Sequence, residues 1–228
     1  MRQIIELVNA FMLIKNMNKP LLILLLSLGF SSPAYSDDCY MEYLLASNSN
    51  NYDNAIKICK PLAQNGSMWS QSTLAGIYYF SENYKEALKW AKKAAEQGDA
   101  PSQLKVGLMY EDGNGTLKDY KEALKWYRKS AEQGNLAAQN NMGLIYEMGW
   151  GVLKDYKTSA SWYQKAADAG DPVSQMNLGI YYCDGLGVKK DLAMSKSLLS
   201  KAYESGELSA DRLVFVEMIW ERCNLANY

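Results

Sequence analysis

The sequence contains no histidine. That removes imidazole as a general base, proton shuttle and metal ligand, and with it the Ser-His-Asp and Cys-His nucleophile arrangements and most zinc sites. An enzyme built from this chain would rest on carboxylates, lysine, tyrosine or cysteine alone. An excess of charge of either sign is also missing: 24 basic residues face 25 acidic ones, for a net charge of −1. A nucleic-acid binder needs a basic field to reach phosphates, so that class of partner is excluded. The four cysteines include no Cys-x-x-Cys pair, and no Gly-Lys-Ser/Thr motif occurs. Redox-active dithiol and phosphate-loop chemistry therefore find no sequence support. No apolar run is long enough to cross a bilayer either. The longest, Leu21 to Phe30, falls well short of the roughly 20 residues that a hydrocarbon core of about 30 Å requires.

That short run has the setting of an export signal. Lys15 and Lys19 precede it, and Ala34-Tyr35-Ser36 follows with the small-x-small pattern of a cleavage site. Residues 1–36 are expected to be a signal peptide, with Met17 as an alternative start. The mature chain is expected to run over 37–228, without a membrane span, in the periplasm or outside the cell.

The rest of the chain is periodic. Gly98, Gly134, Gly170 and Gly206 follow one another at intervals of 36 residues. Gly107-Leu-Met-Tyr110 returns as Gly143-Leu-Ile-Tyr146 and as Gly179-Ile-Tyr-Tyr182. Trp90, Trp126 and Trp162 keep the same interval, with Leu198 in the fourth place. Gly76-Ile-Tyr-Tyr79 belongs to the series but sits 31 residues before Gly107, because its loop lacks the insertion that carries Gly113 and Gly115 in the next unit. Each unit reads as two helices. The first has apolar residues at helical spacing, as in Ala138, Met142, Ile145 and Tyr146, and ends at a glycine turn. Asp119, Asp155 and Asp191 then stand where an N-cap accepts backbone N–H bonds. The second helix runs through Ala123, Trp126 and Ala131 to Gly134, a left-handed stop. Small residues at Ala55, Ala87, Ala123, Ser159 and Ser195 let the two helices approach. A lone helix pair cannot bury its apolar face, so neighbours must stack.

This pattern resembles the Sel1-like repeat family, which is related to tetratricopeptide repeats. The run Ala138-Gln-Asn-Asn-Met-Gly-Leu-Ile-Tyr146, then Gly149-Trp-Gly-Val152, Lys154-Asp-Tyr156 and Trp162-Tyr-Gln-Lys-Ala-Ala167, carries the resemblance. It implies an all-α, right-handed α/α superhelical solenoid. A degenerate first unit is expected over 38–66, repeats over about 67–98, 99–134, 135–170 and 171–206, and a C-terminal capping helix over 207–224.

Four cysteines allow three pairings, and export favours disulfides over buried thiols. On the repeat alignment Cys39 falls early on a first helix and Cys59 on its paired second helix. Cys183 and Cys223 fall on one helix face in adjacent units. Cys39–Cys59 and Cys183–Cys223 are therefore the expected pairs.

The resemblance also implies that the first helices line a concave wall. It places a row there at three residues before, one after and four after each motif glycine: Thr73, Ile77, Phe80, Leu104, Leu108, Glu111, Asn140, Leu144, Glu147, Met176 and Ile180. The competing reading is that several of these are consumed by contacts between neighbouring first helices. Trp69 and Trp150 are candidate exposed anchors; alternatively each packs on its own repeat. No catalytic residue, metal site or cofactor is expected. The expected partner is another protein, held in an apolar groove with an acidic rim. One version of this reading is an immunity protein that neutralises a secreted toxic enzyme. The other is a peptidoglycan-binding or β-lactam-binding enzyme, which related disulfide-rich repeat proteins suggest.

Overall fold

The computed structural model describes residues 38–47 and 52–227. The expected signal peptide, its cleavage site and Met17 lie outside the described residues. These contain eleven α-helices, one 3₁₀ turn and no strand. The chain divides into two compact units, one ending at Ile77 and the other beginning at Tyr78.

In the first unit α1 (Asp38–Ser47) packs on α2 (Asp53–Gln64), and α3 (Met68–Phe80) begins. Cys39 and Cys59 form a disulfide between α1 and α2, with Cα atoms 4.5 Å apart. Ala55, on the same face of α2 as Cys59, is fully buried, the small side chain that a close helix pair requires. Gln71 of α3 is buried and donates through Nε2 to the carbonyl of Ala63 near the end of α2, at 2.9 Å.

The second unit holds the end of α3 followed by α4 (Tyr84–Glu96), α5 (Ala100–Asp112), α6 (Tyr120–Glu132), α7 (Leu136–Met148), α8 (Tyr156–Asp168), α9 (Pro172–Asp184), α10 (Leu192–Glu204) and α11 (Ala210–Arg222). Each of the central helices is 13 residues long, and the main packing is between consecutive helices: α5 on α6, α6 on α7, α7 on α8, and so to α11. The sequence punctuation explains the boundaries. Asp99, Asn135 and Asp171 cap the first helices by accepting from the backbone N–H of Ser102, Ala138 and Ser174. Asp119, Asp155 and Asp191 do the same for the second helices, which satisfies donors that a helix start leaves open. Gly134 follows the end of α6 at φ +87°, a conformation that costs a residue with a Cβ about 1 kcal/mol or more.

Helices within a repeat meet at the motif glycine. A Cβ on Gly107 would sit 2.5 Å from the Tyr127 ring of α6, and one on Gly143 would overlap the Tyr163 ring of α8. Opposite each glycine stands a small side chain: Ala123, Ser159 or Ser195, all fully buried. Where it is serine it also works as a fastener. Ser159 donates to the carbonyl of Gly143 and Ser195 to that of Gly179, each at 2.7 Å. Successive repeats are joined by glutamines. Gln103, Gln139 and Gln175 reach back from a first helix to the carbonyls of Ala95, Ala131 and Ala167 at the end of the preceding second helix, at 3.0, 3.0 and 3.2 Å. Trp90 and Trp126 are buried, and Lys93, Lys129 and Lys165 lie 4.7, 4.3 and 4.1 Å over the rings of Trp90, Trp126 and Trp162. The tryptophan series is thus packing, closed over by lysine stems and charges. Cys183 of α9 and Cys223, just past α11, form the second disulfide, with Cα atoms 6.1 Å apart. Arg222 adds a bidentate ion pair to Asp184 beside it, at 2.8 and 3.0 Å.

Candidate partner-binding face

The row expected to line a partner surface divides into three groups. Phe80, 62% exposed, and Leu108, 38% exposed, present apolar surface to solvent. Thr73, Leu104, Asn140, Leu144 and Ile180 are half-buried. Leu104 rests on a cluster that joins Ala123, Tyr127 and Ala131 of its own repeat to Ala138, Met142 and Ile145 of the next, and Ile180 on one that joins Leu199 and Ala202 to Val216 and Ile219 of α11. Asn140 donates to Ser174 Oγ of the next first helix, at 2.9 Å. These residues are seam and surface at once. Ile77 and Met176 correct the expectation outright. Ile77 is fully buried and Met176 is 6% exposed, so neither has a surface to offer a partner.

The two acids need a second correction. Glu111 and Glu147 do not stand as a free acidic rim. Each accepts a hydrogen bond at Oε2 from the phenol of the buried tyrosine across its own helix pair, Tyr127 to Glu111 and Tyr163 to Glu147, both at 2.7 Å. Burial first, and the facing carboxylate second, push both phenols far above the ordinary tyrosine range. Tyr181 is raised as well, by burial, and shares a 2.8 Å hydrogen bond with Ser159 Oγ. The sequence carries the signal for these pairs. In the repeat where Tyr127 or Tyr163 becomes Ala91, the acid becomes Phe80; where it becomes Leu199, the acid becomes Cys183. The two positions change together, as hydrogen-bonded partners must when burying one without the other is costly.

Of the two candidate anchors, Trp69 is exposed and Trp150 is half-buried. Trp150 stacks on Tyr120, with ring centroids 5.2 Å apart, and packs against the Ala123–Ile145 cluster. It therefore braces the preceding repeat. Lys105, on the same helix as Leu104 and Leu108, is largely enclosed over the Tyr79 ring, and its burial pulls the ammonium below the ordinary lysine range. The exposed apolar residues of this row are thus Phe80 and Leu108, with Leu104 and Leu144 half-buried. None of these residues is a nucleophile or a paired acid–base group.

The Sel1 repeat profile matches residues 73–99, 100–135, 136–171 and 172–207. Among solved structures, a protective antigen of uropathogenic Escherichia coli displaying an SLR fold is 34% identical, with a TM-score of 0.69 over 76% of this chain. The match covers 40% of that antigen, so this chain spans well under half its length. A Sel1 repeat protein from Oxalobacter formigenes is 29% identical, with a TM-score of 0.69 and 80% of each chain covered. No curated protein matches the chain.

Proposed function

The chain belongs to the Sel1-repeat family, and from that premise we propose that it is a protein-binding scaffold working outside the cytoplasm, in the periplasm or after secretion. Sel1 repeats are commonly protein–protein interaction scaffolds. Two disulfides, with no free cysteine among the described residues, fit an oxidising compartment. No helix among the described residues is long and apolar enough to cross a membrane.

The observation that carries the reading is the exposed apolar surface at Leu108, flanked by half-buried Leu104 and Leu144 on successive first helices. A partner's amphipathic helix or extended segment would lie across it, using Leu108 as the central contact. The test immobilises the protein with its disulfides intact and challenges it with envelope extract of the parent cells. A stoichiometric partner retained by the native chain and lost on Leu108→Glu and Leu144→Glu, with melting unchanged, supports the reading. Retention on cell-wall material, indifferent to these substitutions, overturns it in favour of glycan binding. An immunity role is a narrower form of the same proposal, and a toxic enzyme as the captured partner would establish it. It now rests on the apolar contacts, because Glu111 and Glu147 are committed to Tyr127 and Tyr163.

A further inference from the structure

We propose that the solvent face of α11 is a self-association seam, which pairs with the same helix of a second copy in antiparallel orientation. It is independent of the first-helix surface discussed above.

α11 is apolar on two sides. One side, Val216 and Ile219 with Cys223 beyond, is buried against the end of the repeat array. The opposite side exposes Val214 (56%), Phe215 (41%) and Met218 (58%). A surface helix normally keeps its second face polar; here three large apolar side chains stand exposed among Arg212, Glu217 and Glu221, an apolar strip that a partner would cover. Tyr203 of α10, exposed and donating to Glu217 of α11 at 3.2 Å, widens the apolar area along one edge.

The occupant follows from the pattern along that face. Asp211, Phe215, Met218 and Arg222 are spaced four, three and four residues apart, the spacing of a seam between two helices. At these four positions the ends carry opposite charges around an apolar centre, with Arg212, Glu217 and Glu221 exposed beside the seam. A two-fold axis through the middle of the seam sets Phe215 against Met218 of the second copy and Asp211 against Arg222 of the second copy, each contact occurring twice. Parallel pairing would instead set acid against acid and guanidinium against guanidinium. The charge pattern therefore selects one partner and one orientation. Arg222 is held for this role: Asp184 fixes its Nη2 edge, while the side chain stays 51% exposed and its remaining donors are open to a second carboxylate. Asp211 in the first turn and Arg222 in the last also suit the helix dipole, and antiparallel dipoles add to the preference. A single helix face is below the roughly 1,200 Å² of a standard interface, so the dimer is weak and forms reversibly with concentration.

Sedimentation velocity of the purified protein, disulfides formed, tests this from micromolar to several hundred micromolar. The native chain should shift from monomer to dimer. Phe215→Ser combined with Met218→Ser should weaken association by at least about tenfold while leaving the melting curve in place, since both side chains face solvent. Asp211→Arg should weaken it in a salt-dependent way, whereas Leu108→Glu should not. Orientation is read by a short thiol-specific cross-linker. An equal mixture of Phe215→Cys and Met218→Cys proteins should cross-link more than either alone. A native chain that stays monomeric throughout, a dimer indifferent to Phe215→Ser/Met218→Ser, or strongest cross-linking between two Phe215→Cys copies would each overturn the proposal.

Discussion

At the scale of single residues, most of the stabilising detail lies in polar side chains that repeat with the period. One place where the repetition fails is informative. Gln133 donates to Oε1 of Gln103 at 2.8 Å, while Oε1 of Gln139 is buried without a partner. The position that would supply its donor, 36 residues after Gln133, is Ala169. An orphaned buried acceptor costs about 1–3 kcal/mol, so Ala169→Gln should stabilise the protein by about 1 kcal/mol in urea unfolding. The buried phenols yield a second expectation. Tyr127 and Tyr163 have native pKa values raised above their unfolded value of 10.0. Their contribution to stability is therefore intact below pH 10 and is lost as pH rises above it, where only the unfolded chain releases the protons. Tyr127→Phe with Tyr163→Phe should lower stability at neutral pH by about 1–2 kcal/mol per site and flatten the decline above pH 10. Denaturant melts across that range measure both.

At the scale of helices, the decisive feature is how closely the two members of a repeat approach. Gly143→Ala should gain up to about 1 kcal/mol of helix propensity yet force a methyl into the Tyr163 ring. That ring is fully buried and held by Glu147, so overpacking of about 1–3 kcal/mol should win, and the melting temperature should fall. Helix boundaries, caps and both cysteine pairs were legible in the sequence, because each depends on local chemistry at a fixed place in the repeat: Asp155 before α8, or Gly134 after α6. The burial of Ile77 and Met176 was not legible. Their apolar character suits a groove and an interior equally, and only the neighbouring helix decides between them. The engagement of Glu111 and Glu147 was hidden for another reason. A carboxylate on a helix face reads as solvated until the tyrosine 16 residues later is known to point at it.

At the scale of the whole molecule, serial packing means that each repeat of the second unit senses chiefly its neighbours. Removing the Cys183–Cys223 bond by Cys183→Ser with Cys223→Ser should cost no more than the roughly 4 kcal/mol that chain entropy assigns to a 40-residue separation. The damage should stay local. Hydrogen exchange should accelerate in α9, α10 and α11 and remain unchanged in α5 and α6; acceleration everywhere would show one cooperative block instead. The glutamine bonds between repeats all point one way, from a later first helix back to the end of an earlier second helix. The junctions therefore have a polarity along the chain. Each of these carbonyls already accepts from the glycine that ends its own helix, so the glutamine adds a second bond that the earlier repeat obtains only from its successor.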